Sequence, residues 1–215
     1  MIGMSRPLDV GIGQIKTLLI KMGKLARNAT KYSLDHFFKG EDVYTQVRSW
    51  SNTVQLMAEE VEDRATELIA LHQPMAGDLR TLKAYIKIAY DLERYGRYAM
   101  DISETQYRLG EWKPLEEDGF RIRELSDKTL RVMDMSLAMI ETMDEKMIFD
   151  LSKVEAETDD LYFENMRRLS ECRGDPKTVA AYILTIRYLE RLADHGSYIA
   201  ESISYAATGK RISIR

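Results

Sequence analysis

The chain predicts an all-α fold of two tandem three-helix bundles, and three observations carry that expectation. Apolar residues recur at three- and four-residue intervals, not alternately, through nearly the whole sequence. Only 4 Pro and 12 Gly punctuate 215 residues, so the elements between turns must be long, which suits helices better than short strands. The tripeptide Leu92-Glu93-Arg94 returns 97 residues later as Leu189-Glu190-Arg191, each copy followed by Ile and Glu at matching distances (Ile102 and Glu104; Ile199 and Glu201). The chain reads as an internal duplication.

Six helices follow in order. The first carries Ile15, Leu18, Leu19, Met22, Leu25, Ala26, Ala29 and Tyr32 on one stripe and stops near Lys39-Gly40, where glycine suits a helix end. The second carries Val43, Val47, Trp50, Val54, Met57, Val61, Ala65 and Leu68 and ends before His72-Gln73-Pro74. The third runs from Pro74, in its first turn, through Leu82, Tyr85, Ile86, Ala89, Leu92, Gly96 and Met100 to Leu109, and the segment from Gly110 to Pro114 breaks it. A fourth uses Ile122, Leu125, Val132, Met133, Ser136 and Ile140. A fifth uses Ile148, Leu151, Tyr162, Met166 and Leu169, and a sixth follows Gly174-Asp175-Pro176 to Thr208-Gly209. Short connections force antiparallel neighbours, so the economical arrangement is two three-helix units, residues 1–110 and 111–215, side by side about a pseudo-twofold axis. Helices of roughly 25–35 residues would be about 40–50 Å long.

Composition narrows the function. With 45% hydrophobic and 31% charged residues the chain can bury a core, and a net charge of −4 gives no overall reason to bind nucleic acid. A single cysteine, Cys172, excludes an internal disulfide framework and a thiolate metal cage. Met1 to Gly13 has no secretory pattern and no window approaches 18 consecutive apolar residues, so a cytoplasmic protein is expected.

Chemistry concentrates in the second half. Glu155 and Asp159 sit four apart on the inward stripe of the fifth helix, and Glu190 and Asp194 sit four apart on that of the sixth, so two acidic pairs can meet across one seam. Four carboxylates there cannot stay ionised and unpaired. Arginine partners, shared protons or cations could each neutralise them, and oxygen ligands favour iron, manganese, magnesium or zinc. Acidic pairs at this spacing are also common on solvated helices.

These residues resemble the PhoU family of phosphate-signalling regulators, whose fold is two three-helix bundles with Glu/Asp-x-x-x-Asp metal motifs. The family's Leu-Glu-Arg-Ile-Gly-Asp block is similar to residues 92–97 and 189–194, and its Gln-Pro-x-Ala-x-Asp-Leu-Arg corner is similar to residues 73–80. Met22-Gly23 matches a further position. The resemblance covers nearly the whole chain. It implies a metal site at Glu155, Asp159, Glu190 and Asp194. It also implies a non-enzymatic regulator of phosphate uptake, peripheral to the membrane, acting on the ATPase of a phosphate ABC transporter and on a sensor histidine kinase, and forming a homodimer. The first half departs from the pattern: its corresponding positions are Ala58, Glu62, Glu93 and Arg97, so a degenerate site is expected in which Arg97 neutralises Glu62 or Glu93 as an internal ion pair. A rival register would use Glu59 and Asp63, about 100° round the helix.

Other residues point less far. His195 next to Asp194 suits a supporting or surface role, His36 and His72 suit helix ends, and Arg94 and Arg191 suit ion pairs within each bundle. The twelve methionines and Tyr85, Tyr90, Tyr95 and Tyr98 suit packing. No Gly-rich phosphate loop and no Glu-x-x-His motif is present, which argues against a di-iron oxidase. Two alternatives stand beside the regulator: a metal-dependent helical-bundle enzyme and a metal-free helical scaffold.

Overall fold

The computed structural model describes residues 6–110, 115 and 120–214, and among these every long element is helical. The six helices are α1 (Pro7–Lys39), α2 (Tyr44–His72), α3 (Ala76–Leu109), α4 (Ile122–Thr142), α5 (Ile148–Glu171) and α6 (Pro176–Thr208), with one 3-10 turn at Glu145–Met147 before α5. The predicted break from Gly110 to Pro114 and the boundary between the two halves lie, beyond Gly110, outside the described residues, as do the first five residues of the leader reading.

Local chemistry sets the ends. Pro7 opens α1 and Pro176 opens α6, where a missing N–H costs nothing, and the Asp175 side chain accepts the Thr178 N–H at 3.1 Å as an N-cap. Gly40 and Gly209 close α1 and α6 in the left-handed region at φ 75°, a conformation that glycine adopts without a Cβ clash. Two sequence expectations shift. Pro74 lies outside α3, which begins at Ala76, because Gln73 already turns left-handed and its N–H caps Ile69 O at 3.1 Å. Two helices of the second half are also shorter than expected: α4 has 21 residues and α5 has 24.

Packing follows the duplication. Within each half the third helix packs against the first two, and between halves α3 lies along α6 while α1 touches α4, so two of the three equivalent pairs meet. One continuous core results, from Ile15, Leu19 and Met22 in α1 through Leu82, Ile88 and Leu92 in α3 to Ile186, Leu189 and Ile199 in α6. Two polar contacts inside it link helices: Ser33 Oγ donates to Ala99 O at 2.6 Å, and the Tyr95 hydroxyl meets Ser136 Oγ at 3.0 Å. The centre of α6 is buried without interruption from Leu192 to Ser197. Gly196 allows this, because a Cβ there would press into Val132 of α4 and lie 3.0 Å from the Tyr95 hydroxyl.

The buried stripe of α5 differs in detail from the one expected. Thr158, Leu161 and Asn165 take the inward positions, whereas Tyr162 and Met166 sit at the flank. Asn165 is tolerated there because its amide donates to Leu161 O at 2.8 Å and its oxygen accepts the Arg121 N–H at 3.0 Å. In α1, Tyr32 is exposed and rests edge-on against Trp50, 4.9 Å between ring centres.

Candidate metal centre

The acidic spacing read on α5 and α6 resolves into three carboxylates that meet and one that is diverted. Glu155 and Asp159 from α5 and Asp194 from α6 each offer an oxygen, and these lie within 4.8 Å of one another. Glu155 is 3% exposed and Asp194 1%, while Asp159 is half-buried and faces the opening. They line an open depression of about 500 Å³ with Asp160, Phe163 and Ile214. Hard carboxylate oxygens at this mutual distance suit a hard divalent or trivalent cation.

Glu190 is adjacent but turned. Arg191 grips its carboxylate with Nε at 2.7 Å and Nη2 at 2.6 Å, and Arg187 adds Nη1 at 2.9 Å. The same Arg191 guanidinium reaches Asp194 Oδ2 at 2.6 Å, so it ties the diverted carboxylate to the triad. The Glu190 carboxylate holds the guanidinium charged in return and raises its pKa, against the lowering effect of burial. Two guanidiniums thus offset part of the negative charge collected at the seam. The donor set fits a bound cation, and the same contacts show how arginine takes one of the four expected oxygens-bearing groups out of the cluster. Arg187, three residues before Glu190, was legible as a helical i,i+3 partner but escaped a reading that followed acidic residues alone.

The first half is built otherwise than expected. Glu93 pairs with Arg94 at 3.1 Å, which repeats in the first copy of the tripeptide the Glu190–Arg191 pair of the second. Arg97 is a surface residue, its side chain 52% exposed, and its ion pair among the described residues is with Asp101 at 3.6 Å, one turn along α3. Glu62 is exposed on α2, as are Glu59 and Asp63 of the rival register. The expected internal ion pair between Arg97 and Glu62 or Glu93 is therefore not what forms. The reason is rotational: α2 buries Val54, Val61 and Ala65, and Glu62, one residue past Val61, points about 100° away from that seam.

His195 takes a place that sequence spacing could not show. Its Nδ1 meets Asp91 Oδ1 at 2.8 Å across the α3–α6 seam, with both residues buried and the ring packed by Tyr90, Tyr98 and Tyr198. Burial raises the Asp91 pKa, and the imidazole bond works against that rise. Asp91 was missed because its imidazole partner lies on another helix, 104 residues further along the chain. His36 and His72 lie in the last turns of α1 and α2.

Two segments of the chain, residues 19–105 and 122–203, match the family model described as PhoU domain. A phosphate-specific transport system accessory protein PhoU homolog of Synechocystis sp. is 27% identical over 210 residues, which cover 94% of this chain and 92% of that protein. A protein of the same description from Caulobacter vibrioides is 32% identical over 157 residues, covering 71% of this chain and 68% of that one. Among solved structures, the phosphate transport system regulatory protein PhoU from Streptococcus pneumoniae superposes with a TM-score of 0.87 at 18% identity, covering 96% of this chain and 99% of that one. PhoU from Pseudomonas aeruginosa superposes with a TM-score of 0.85 at 23% identity, covering 94% and 99%. Both share the fold.

Proposed function

The chain belongs to the PhoU family, and on that premise we propose that it is an accessory regulator of phosphate transport whose second half carries a carboxylate metal site. It works by contact and not by catalysis: the partners are the ATPase of a phosphate ABC transporter and a sensor histidine kinase, and the protein acts as a homodimer at the cytoplasmic face of the membrane. Its relatives are named as transport accessory proteins, which supports the transporter as partner. Among the described residues no helix is long and apolar enough to cross a membrane, which suits a peripheral role. Residues 1–110 and 111–215 are its two repeat units, consistent with one matched segment in each.

The convergence of Glu155, Asp159 and Asp194 is the observation that carries the metal reading. These three hold the ion, and Glu190 is positioned to join them when it releases Arg191. A bound iron, manganese, zinc or magnesium ion would neutralise the carboxylates and pin α5 to α6. After incubation with iron, manganese or zinc and desalting, the wild-type protein retains metal by elemental analysis. The double substitution Glu155→Gln with Asp159→Asn weakens retention by about 10- to 100-fold or more. Absence of retained metal from wild-type protein sinks the reading. Co-purification with the cognate transporter ATPase tests the partner separately.

A metal-free scaffold is the second reading, and one observation favours it: Arg191 already spans Glu190 and Asp194. It predicts that the same amide substitutions leave metal content and thermal stability unchanged.

A further inference from the structure

About two to three turns further along α6 from the acidic cluster, toward the helix end, a pocket of about 320 Å³ opens between α3, the end of α6 and the segment that follows it. Lys83 and Lys87 enter from α3 and Arg211 from the segment after α6. Lys83 Nζ and Arg211 Cζ each lie 6.0 Å from the centre of the Tyr205 ring, and Lys87 Nζ lies 5.8 Å from that of Tyr198. Elsewhere on these two helices arginines take carboxylates: Arg94 takes Glu93, Arg97 takes Asp101, Arg108 takes Glu104 and Arg191 takes Glu190. Among the described residues, Lys83, Lys87 and Arg211 have no carboxylate within 4.0 Å. A chain of net charge −4 has nevertheless gathered three cations around one cavity, against their mutual repulsion.

Two features oppose an anion here, and neither outweighs the three cations. Glu201 lines the pocket and keeps its charge while its Oε1 accepts the Ile214 N–H at 3.2 Å, so one carboxylate faces three cationic side chains. With Ser152 Oγ donating to Ile214 O at 3.0 Å, that bond fastens residues 210–214 along the bundle and places Arg211 at the rim. The carbonyls at the end of α6 carry partial negative charge, and the Arg80 guanidinium lies against Gly209 there, 3.4 Å from where a Cβ would stand.

We propose that this pocket is a binding site for a small phosphate-bearing anion, held by Lys83, Lys87 and Arg211 with the Tyr205 ring as its apolar wall. A guanidinium matches the forked oxygens of a phosphate, and two ammonium groups supply point charges for a dianion, which a monovalent carboxylate would use less well. The cavity is at the small end of the range for ligand pockets, about 300–1,000 Å³. Beyond the cations it offers Ala84, Ile212 and the Tyr205 ring to an organic body. Free phosphate and a small organic phosphate share this chemistry. The site shares no lining residue with the carboxylate cluster and needs no metal.

The test is calorimetric titration of chelator-treated protein at fixed ionic strength, with inorganic phosphate in one arm and adenosine monophosphate in the other. Saturable binding is expected in at least one arm. Equal affinity in both identifies the phosphate group alone as ligand, and tighter binding of the nucleotide identifies an organic phosphate. Lys83→Ala, Lys87→Ala and Arg211→Ala each weaken binding by about tenfold or more, the loss of one charge-assisted hydrogen bond. Lys31→Ala on α1, outside the pocket, leaves it unchanged. The three side chains are exposed, so circular dichroism of the variants should match wild type. Absence of saturable binding in both arms at millimolar ligand, or binding that the three pocket substitutions leave intact, overturns the proposal. Chelator treatment keeps either failure separate from that of the metal reading.

Discussion

Asp91 and His195 form a buried polar contact between the two halves, and the duplication shows how local that choice is. Displaced by the 97-residue repeat, the two positions become Tyr188 and Tyr98, which stack at 6.0 Å between ring centres on the other side of the pseudo-twofold axis. One side of the seam is closed by a carboxylate and an imidazole, the other by two phenol rings. Asp91→Ala strands a buried imidazole nitrogen, so a loss of about 1–3 kcal/mol is expected. Thermal denaturation would show this as a Tm lower by about 2–10 °C. Arg97→Ala should do almost nothing, within about 0.5 kcal/mol, because its pair with Asp101 is long and half in solvent. A large destabilisation by Arg97→Ala would instead restore the internal ion pair that the sequence suggested. At this scale the i,i+4 acids were readable, but the carboxylate that arginine diverts was not. Glu190 and Asp194 share a helix face, and only the rotamers of Arg187 and Arg191 separate their fates.

Helix ends and stripes were readable wherever a residue's own backbone chemistry sets them. Gly40, Gly110 and Gly209 end α1, α3 and α6, as glycine ends helices generally. The stripe of α5 was less readable, because Asn165 enters the core only when Arg121, 44 residues earlier, brings an N–H to its oxygen. The corner between α1 and α2 carries a pH prediction. His36, in the last turn of α1, receives the Val43 N–H on Nδ1 at 3.4 Å, and burial lowers its pKa. A histidine whose folded pKa is depressed resists protonation that the unfolded chain accepts, so stability is lost as pH falls through the ordinary histidine range near 6.5. Melting temperatures measured from pH 7.5 to 5.5 should decline, and His36→Gln should make that decline shallower. An identical slope in the variant would remove His36 as the cause.

For the whole molecule the consequential contact is α3 against α6, the most extensive between any two helices. Both are the third helix of their half, and each buries residues against the other half: Tyr95 of α3 meets Ser136 of α4, Asp91 of α3 meets His195 of α6, and Tyr98 of α3 stacks on Tyr188 of α6. The halves should therefore unfold together. One thermal transition, coincident by circular dichroism and by tyrosine fluorescence, is expected. A chain of residues 1–110 expressed alone should expose the α3 face and bind a hydrophobic dye. Two separated transitions, or a well-folded first half, would contradict that coupling.

What the sequence by itself determined was the architecture: six helices, their order, their duplication and the half in which acidic residues gather. Those follow from period, spacing and chain-local caps, which are properties of one helix at a time. What only the tertiary structure decided was the assignment of partners. Three carboxylates come together while a fourth goes to arginine, Asp91 finds His195 across the seam, and Arg97 turns to solvent. Each of these depends on the rotation of one helix against another, where one residue of offset is about 100° and exchanges a buried contact for an exposed one.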